Sequence, residues 1–288
     1  MTMPAMQELR RVVIPSAGLG TRFLPLTRVV PKELLPLGDW PLIHHAVLEA
    51  ERAGFSEVII VISPGKRAIR AYFEGDDALE RVLRAREQMQ ALERVRAARA
   101  LCDRMRIQFV EKDTHGPGEA VLLAYRFTGD ENLGVLLPDD VLPSVHPWHD
   151  LEKLREATGM GTLSVRTFPA EEAGRYGVAA CTREDGRLRI RQLIEKPAPG
   201  AILSSYRIFG RYIVTAPILA ALQSGMRRLH GELQLTDAYA SCLSRSAGVF
   251  AAEFSGEAFD CGTPSEYVRS VARYAATAAQ SAAAAGVS

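Results

Sequence analysis

An apolar strand that runs directly into a glycine turn, Arg11-Val-Val-Ile-Pro-Ser-Ala-Gly-Leu-Gly-Thr-Arg22, indicates the class of fold. Gly18 and Gly20 allow the backbone to approach a phosphate closely, and the amides of such a turn point at the anion. The third glycine of a dinucleotide fingerprint is missing because Phe23 stands in its place, and no Gly-Lys-Ser/Thr follows. The stretch therefore predicts a phosphate-binding turn in an α/β protein and excludes an ATPase P-loop.

Around this turn the first half of the chain alternates between short apolar strands and helices. Val58–Ile62 is a continuous β-branched run, typical of a strand covered on both faces, and Ile107–Val110 and Val135–Leu137 show the same pattern. Between the strand that begins at Arg11 and the strand Val58–Ile62, Pro41 begins a helix that Gly54 ends. Strands separated by helices predict an α/β fold with a Rossmann-like, doubly wound sheet that is mixed but mostly parallel.

The second half of the chain is richer in strands. Strands are predicted at Leu163–Phe168, Gly177–Cys181, Arg187–Ile194 and Ser205–Val214. The charged stretch Leu79–Arg106 is predicted as a single solvated helix, and Thr263 begins a last helix with a capping box. No Pro/Gly/Ser linker divides the chain. We therefore expect one two-lobed domain, with lobes at about 10–145 and 146–262, followed by a C-terminal helix and tail at 263–288.

Composition narrows the class of function. Among 288 residues, 35 Lys and Arg face 34 Asp and Glu, and a net charge of +1 argues against a nucleic-acid binder. The apolar runs are too short to span a bilayer, and Met1–Arg11 has no apolar run of the kind found in signal peptides. Four widely spaced cysteines without a C-x-x-C pair predict a reduced, cytoplasmic protein without structural zinc.

Charged residues near the turn suggest the chemistry. Arg22 and Lys32 place two cations beside an amide-rich turn, which suits a polyphosphate. Asp139 and Asp140 follow a buried strand, so they would project from the carboxyl edge of the sheet, where open α/β folds bind ligands. Carboxylates at that edge suit a hard metal ion such as Mg²⁺, but on these two residues alone a turn cap is the better interpretation.

The ordered motifs of the chain resemble those of the sugar-phosphate nucleotidyltransferases. Gly18-Leu-Gly-Thr-Arg-Phe-Leu-Pro25 and Pro31-Lys-Glu-Leu-Leu-Pro36 are similar to the family signature. The resemblance covers about residues 10–275 and continues in the family's order through Leu137-Pro-Asp-Asp140, Arg175-Tyr-Gly-Val178, Ile194-Glu-Lys-Pro197, Gly210-Arg-Tyr212, Gly231-Glu-Leu-Gln-Leu-Thr-Asp237 and Phe259-Asp-Cys-Gly262. The Pro-Lys-Glu form resembles the bacterial uridylyl-transferring members more than the thymidylyl-transferring members, which tend to carry Ser-Lys-Gln.

The resemblance implies a fold of the nucleotide-diphospho-sugar transferase type, with a β-rich sugar-binding lobe. It also implies Mg²⁺-assisted transfer from UTP to glucose 1-phosphate, in a protein that forms homodimers or homotetramers. The implied roles are activation of the triphosphate by Arg22 and Lys32, nucleotide binding by Ala17, Gly18, Leu19 and Gly20, metal binding by Asp139 and Asp260, and sugar-phosphate binding by Gly177, Glu195 and Lys196.

Two residues depart from the family pattern. Glu111 stands where a base-reading glutamine is expected, and Glu119 replaces a histidine. A carboxylate only accepts hydrogen bonds, whereas an amide donates and accepts. Glu111 would then accept from the base N3–H, while amides of the loop Gly116–Gly118 donate to a carbonyl. The departures leave two alternatives open, which are specificity for thymidylyl transfer and a catalytically weak regulatory paralogue that binds nucleotide sugar.

Overall fold

The computed structural model describes residues 9–143, 147–198, 201, 206–225, 231–244 and 248–284, and only the backbone at 170, 171, 173 and 278–284. Its strands are β1 (Arg11–Ser16), β2 (Pro36–Leu37), β3 (Trp40–Pro41), β4 (Glu57–Ile62), β5 (Arg106–Glu111), β6 (Leu133–Leu136), β7 (Asp140–Val141), β8 (Thr162–Thr167), β9 (Gly177–Glu184), β10 (Arg187–Glu195), β11 (Tyr206–Val214), β12 (Phe250–Glu253) and β13 (Phe259–Asp260).

The helices lie between these strands and after the last of them. They are α1 (Leu42–Arg52), α2 (Arg67–Glu74), α3 (Asp77–Ala85), α4 (Met89–Arg104), α5 (Pro117–Thr128), α6 (Trp148–Thr158), α7 (Ala216–Gln223), α8 (Leu235–Ser241) and α9 (Pro264–Ala284). Across the described part of the chain, none of the helices has both the length and the apolar character needed to cross a bilayer.

A nine-stranded sheet in the order β5-β4-β1-β6-β11-β8-β12-β10-β9 runs through both halves of the chain. Strands β5, β4, β1 and β6 are parallel, and β12 is parallel to β8. Within the described residues, β10 and β11 are the strands that run against the other seven. The predicted α/β fold with a mixed, mostly parallel sheet is therefore confirmed.

The sheet is covered on both faces, as a doubly wound fold requires. Alternate residues of β1 face opposite layers, so Val13 packs in one core cluster and Val12 in the other. The first cluster includes buried residues of α5, α7 and α8, and the second includes buried residues of α1, α2, α4 and α6. The central strands are apolar on both sides because each side is buried.

One helix prediction is wrong. The stretch Leu79–Arg106 forms two helices, α3 and α4, and not one. Glu87, at the break between them, takes a left-handed backbone conformation with φ +54°, which ends the helical hydrogen-bond pattern. A further signal lies before the stretch, where Asp76 caps α3 by accepting from the amides of Ala78 and Leu79. The Arg-rich composition conceals this break because charged residues favour helix on both sides of it.

A buried ion pair fixes two helices to the centre of the sheet. Arg211 on β11 is fully buried and donates from Nε to Glu49 Oε1 of α1 at 2.8 Å, while its Nη2 contacts Glu49 Oε2. Trp148 of α6 donates its indole N–H to the same Glu49 Oε1 at 2.9 Å. The arginine of the motif Gly210-Arg-Tyr212 therefore has a structural role beneath the sheet.

We predict that Arg211→Met lowers the free energy of unfolding by about 3–5 kcal/mol, because it leaves the Glu49 carboxylate buried without its cation. Urea unfolding of the purified variant measures the change. Arg99→Met, which removes an exposed pair with Asp77, is the matched control and should cost less than about 1 kcal/mol. The double variant Glu49→Leu/Arg211→Met removes both buried charges and should be more stable than Arg211→Met. An Arg211→Met loss no larger than that of the control would contradict the prediction.

Candidate active site

The glycine turn after β1 forms one wall of a cavity of about 380 Å³. Gly20 has a left-handed backbone with φ +66°, and its carbonyl accepts from Thr27 Oγ1 at 2.9 Å. The cavity brings together seven of the residues predicted to bind the triphosphate or nucleotide, namely Ala17, Gly18, Leu19, Gly20, Arg22, Lys32 and Gly116. The turn thus lines a space that is also bordered by the cations of Arg22, Lys32 and Lys196.

The short 3-10 turn Lys32–Leu34 aims Lys32 at Asp139. Lys32 Nζ donates to Asp139 Oδ2 at 2.6 Å. The next residue, Glu33, is 1% exposed and accepts from Lys66 Nζ at 2.9 and 2.8 Å, so the turn is held from behind by a buried ion pair. Burial opposes the charge on Lys32, but the Asp139 and Glu33 carboxylates more than offset it and raise its pKa.

A second cavity, of about 390 Å³, lies on the β-rich side of the molecule. Gly177, Glu195 and Lys196, the predicted sugar-phosphate residues, all line it. Glu195 Oε2 accepts from Thr236 Oγ1 at 2.8 Å, and a Cβ at Gly177 would lie only 3.0 Å from that same Oε2. Glycine at this position leaves the carboxylate and the backbone accessible to a polar ligand.

Lys196 directly follows β10, lines this cavity and has an uncommon backbone conformation. Its φ is +46°, in the left-handed region, and its N–H donates to the carbonyl of Tyr176 at 3.0 Å. That hydrogen bond and the following Pro197 turn the chain away from the strand, so the ammonium lies beside Glu195, with Nζ 3.7 Å from Oε1. The lysine therefore contributes a cation to both cavities.

The two cavities meet at a shared set of residues: Arg22, Pro117, Leu137, Asp139, Lys196 and Gly262. A Cβ at Gly262 would lie 3.3 Å from Asp260 Oδ1, 3.6 Å from Asp139 Oδ2 and 3.9 Å from Arg22 Nη1. Both predicted metal ligands and one predicted triphosphate ligand thus face the same small volume. A group held there would touch the contents of both cavities.

A two-strand ribbon places the second carboxylate beside the first. Strand β13 pairs with β7 so that Asp260 lies opposite Asp140, and the Cys261 amide donates to the Asp139 carbonyl at 2.7 Å. The Asp260 carboxylate accepts at Oδ1 from the Gly262 amide at 2.9 Å and at Oδ2 from the Tyr176 hydroxyl at 2.8 Å. Residues far apart in the chain are joined by backbone pairing.

Asp139 and its neighbour Asp140 lie in different electrostatic environments. Burial disfavours the charge on Asp139, but the adjacent Lys32 outweighs it and lowers the pKa of this carboxyl. Asp140 is partly buried, and desolvation together with the Asp260 and Asp139 charges raises its pKa against the opposing effect of Arg207. Lys32 therefore favours the anionic form of Asp139, which is the form that binds a cation.

The donor set at the junction fits Mg²⁺ better than a metal that needs a complete protein cage. Within the described residues, no group of three or more His, Cys, Asp and Glu side chains could hold a metal ion. Mg²⁺ is usually held by one or two carboxylates together with substrate phosphates and water. Asp139 and Asp260, which both lie near the Gly262 position, are a pair of hard oxygen donors of this kind, and their role as metal ligands stays a prediction.

Three residues singled out in the sequence have other contacts in the structure. Glu111, at the end of β5, is ion-paired with Arg67 at 3.0 Å and does not line either cavity. Gly118 does not line them either, and its amide donates to the Leu233 carbonyl at 2.9 Å. Glu119 Oε2 accepts from the His115 amide at 2.7 Å, a local role at the start of α5. The nucleotide contacts of Glu111 and Gly118 stay predictions.

Three site residues carry no role in the sequence analysis. Tyr176 and Thr236 lie within recognised motifs and line the second cavity, where their hydroxyls bond the carboxylates of Asp260 and Glu195. Their place inside the motifs is a signal that could have identified them. Arg207 donates to Asp260 Oδ2 at 3.1 Å. It lies outside every motif, and the residues around it have the pattern of an ordinary sheet strand.

Comparison with known proteins gives the same picture as the geometry. Residues 11–277 match the family model described as "Nucleotidyl transferase". The chain belongs to this nucleotidyl transferase family. The predicted resemblance is therefore confirmed.

Individual members of the nucleotidyl transferase family match along nearly the whole chain. A UTP–glucose-1-phosphate uridylyltransferase of Bacillus subtilis is 38% identical over 94% of this chain and 92% of its own length. One of Staphylococcus epidermidis is 36% identical over 94% and 93%. A crystal structure of a UDP-glucose pyrophosphorylase complexed with UDP-glucose is 30% identical, with a TM-score of 0.81, over 94% of this chain and 100% of that one.

We predict that Gly118→Ala lowers the free energy of unfolding by about 1–3 kcal/mol, because its Cβ would lie 2.7 Å from the Leu233 carbonyl oxygen and 2.8 Å from Leu222 Cδ2. Gly65→Ala is the control, since nothing lies within 4 Å of its Cβ, and its effect should stay within about 0.5 kcal/mol. Urea unfolding and UTP titration of both variants give the two readouts. A Gly118→Ala protein of unchanged stability and reduced UTP affinity would instead make Gly118 a nucleotide contact.

Proposed function

We propose that this nucleotidyl transferase moves the uridylyl group of UTP to glucose 1-phosphate, which forms UDP-glucose and releases pyrophosphate. The observation that carries the proposal is the meeting of the two cavities at Arg22, Asp139 and Lys196. A transfer between two phosphate compounds needs two adjoining binding spaces with cations and carboxylates at their boundary. The names of the relatives above support these particular substrates.

The nucleotide belongs in the cavity formed by the glycine turn. Residues 17–20 line this space, and so does Gly116. Arg22 and Lys32 supply two positive charges for the triphosphate. The α-phosphate would then lie near Asp139, where this cavity meets the second one.

Glucose 1-phosphate belongs in the second cavity. A carboxylate suits vicinal hydroxyls because it accepts two hydrogen bonds, and Glu195 is held for this by Thr236. Gly177 allows the sugar to lie against the backbone. Lys196 stands between the two spaces and would bind the sugar phosphate, which lowers the repulsion between two anionic reactants.

The reaction is an in-line displacement at the α-phosphorus. An oxygen of the glucose 1-phosphate phosphate forms a bond to the α-phosphorus, and the bond from that phosphorus to the bridging oxygen of pyrophosphate breaks. The chain positions the reactants and neutralises charge, so no side-chain nucleophile is required. Arg22 and Lys32 would hold the leaving pyrophosphate, and Lys196 would hold the attacking phosphate.

Asp139 and Asp260 would hold Mg²⁺ at the junction of the cavities. When bound, the ion neutralises phosphate oxygens as charge develops on them. The 2.6 Å contact between Lys32 and Asp139 supports the cation-binding character of this carboxylate. The same contact places Lys32 within reach of both the carboxylate and the triphosphate space.

The distribution of lining residues supports the proposed lobes at about 10–145 and 146–262. Most of the residues around the first cavity precede position 146, and most of those around the second follow it. The four cysteines are free thiols, which supports a cytoplasmic location. A homodimer or homotetramer remains our proposal for the assembled state, with no role for nucleic acid.

We predict that purified protein releases pyrophosphate fastest from UTP with glucose 1-phosphate in a matrix of common triphosphates and sugar phosphates. Asp139→Asn should reduce turnover at least about 100-fold, because it removes a charge that stabilises the transition state. Asp150→Asn, an exposed aspartate of α6, is the control and should leave turnover unchanged. Turnover with dTTP in place of UTP would make the enzyme a thymidylyltransferase, and tight nucleotide-sugar binding without turnover would make it a regulatory paralogue.

We predict that Glu195→Gln lowers kcat/KM for glucose 1-phosphate by about 10- to 100-fold, since a charged hydrogen-bond acceptor contributes about 1.5–3 kcal/mol. The KM for UTP should change by less than about twofold, because Glu195 does not line the nucleotide cavity. Steady-state kinetics with each substrate varied in turn provide the test. Glu184→Gln, at the end of β9 and outside both cavities, is the control, and an equal loss for both substrates would place Glu195 in a general structural role.

A further inference from the structure

Arg207 lies directly behind the carboxylates at the junction of the two cavities. It is the second residue of β11, where it stands opposite Arg166 of β8 and Val178 of β9. The residue is 6% exposed and is not part of the lining of either cavity. A fully charged side chain at this depth needs carboxylate partners, and those it has are Asp140 and Asp260.

The guanidinium and one hydroxyl converge on a single oxygen of Asp260. Arg207 Nη1 donates to Asp260 Oδ2 at 3.1 Å, and the Tyr176 hydroxyl donates to the same oxygen at 2.8 Å. The other oxygen, Oδ1, accepts from the Gly262 amide. It lies 3.3 Å from the position that a Cβ on Gly262 would take, and Asp139 Oδ2 lies 3.6 Å from the same position. Two donors on Oδ2 therefore leave Oδ1 as the oxygen that is directed toward the junction.

The guanidinium is itself held in one orientation. Its Cζ lies 4.0 Å from the centroid of the Tyr176 ring and 5.1 Å from that of Phe209, so aromatic rings support the planar group. A planar fork held in this way donates along fixed directions, which a lysine ammonium on a flexible chain does not do. Charge and direction are therefore both supplied by this one residue.

Asp140 explains why a cation is needed here. Its Oδ1 lies 3.6 Å from Arg207 Nη2, and its other oxygen packs on Gly210, where a Cβ would be 2.8 Å away. Asp140 follows Asp139 directly and pairs with Asp260 across the β7–β13 ribbon, so three carboxylates share one corner. Without a cation behind them, Asp140 and Asp260 would repel, and Asp140 would be free to turn toward the junction as a competing ligand.

We propose that Arg207 is a positioning residue that directs Asp260 Oδ1 toward a divalent cation and keeps Asp140 out of the cation site. The inference rests on the proposed function, since it takes the cation to be the one that Asp139 and Asp260 share there. Arg207 touches neither substrate nor metal. It acts through the orientation of Asp260.

Mn²⁺ binding tests this role directly. Water-proton relaxation during Mn²⁺ titration, alone and with saturating UDP-glucose, gives a dissociation constant without any turnover. Arg207→Met should raise that constant by about 10- to 100-fold, the usual cost of losing a residue that orients a metal ligand. Arg207→Lys, which keeps the charge and loses the fork, should bind Mn²⁺ more weakly than wild type and more tightly than Arg207→Met. Arg166→Met, the arginine opposite on β8, is the control and should bind within about twofold of wild type.

Kinetics distinguish positioning from general damage to the fold. In Arg207→Met, the Mg²⁺ concentration for half-maximal rate should rise with the Mn²⁺ constant, while the KM for glucose 1-phosphate stays within about twofold. If Arg207→Met does not fold, Arg207→Met/Asp140→Asn removes the unpaired carboxylate, and the lysine variant gives an independent reading in a protein that keeps its charge. Wild-type Mn²⁺ binding in the folded methionine variant, or in Arg207→Lys, overturns the proposal. In the double variant, binding weaker than wild type supports the direction of Asp260 Oδ1 by Arg207, and wild-type binding overturns that part of the proposal.

The proposal and the proposed function fail in different ways. If wild-type protein shows no turnover with UTP and glucose 1-phosphate while Arg207→Met still weakens Mn²⁺ binding, the positioning role stands and the proposed function falls. If wild-type protein turns over briskly and Arg207→Met binds Mn²⁺ as wild type does, the positioning role falls and the proposed function stands. Absence of Mn²⁺ binding by wild-type protein in both titrations would overturn the positioning role.

Discussion

The site depends on one constraint, which is that each carboxylate buried near it is matched by a cation that another part of the fold supplies. Lys32 pairs with Asp139 across the junction, and Lys66 holds Glu33 behind it. Beneath the sheet, Arg211 is bound to Glu49. An isolated charge in such surroundings would cost several kcal/mol, so these pairs determine which loops and helices can lie next to each other. The charged groups around the two cavities are stable there because this balance is already present in the protein.

The sheet brings these charged residues together at one edge. Parallel strands end at the same edge, so the turn after β1 and Asp139 after β6 meet there without any long connection. The antiparallel strand β11 joins this half of the sheet to the β-rich half, which brings the Glu195–Lys196 end of β10 to the same region. The short β7–β13 ribbon then adds Asp260. The two halves of the chain thereby share one continuous sheet, and the two cavities open onto each other.

Much of the site could be predicted because its residues lie in compact motifs. Gly18 and Lys32 are recognisable from local spacing alone, and the structure places both in the first cavity. The break in Leu79–Arg106 could not be predicted in this way, because helix-favouring residues stand on both sides of Glu87. The burial of Arg207 could not be predicted for a related reason, since an arginine at this point in a strand has the pattern of an exposed position. Its burial follows from three-dimensional partners.

By itself the sequence determined the α/β class, the glycine turn after the first strand and the membership of the family, because strand periodicity and contiguous motifs are local properties. Only the tertiary structure decided that Asp260 lies across a ribbon from Asp140 and that Arg207 donates to one oxygen of Asp260. It also gave Glu111 an ion-pair partner in Arg67. These contacts join residues between 44 and 120 positions apart in the chain. Side-chain pairing over such separations is set by how the strands pack and register, which no local pattern encodes.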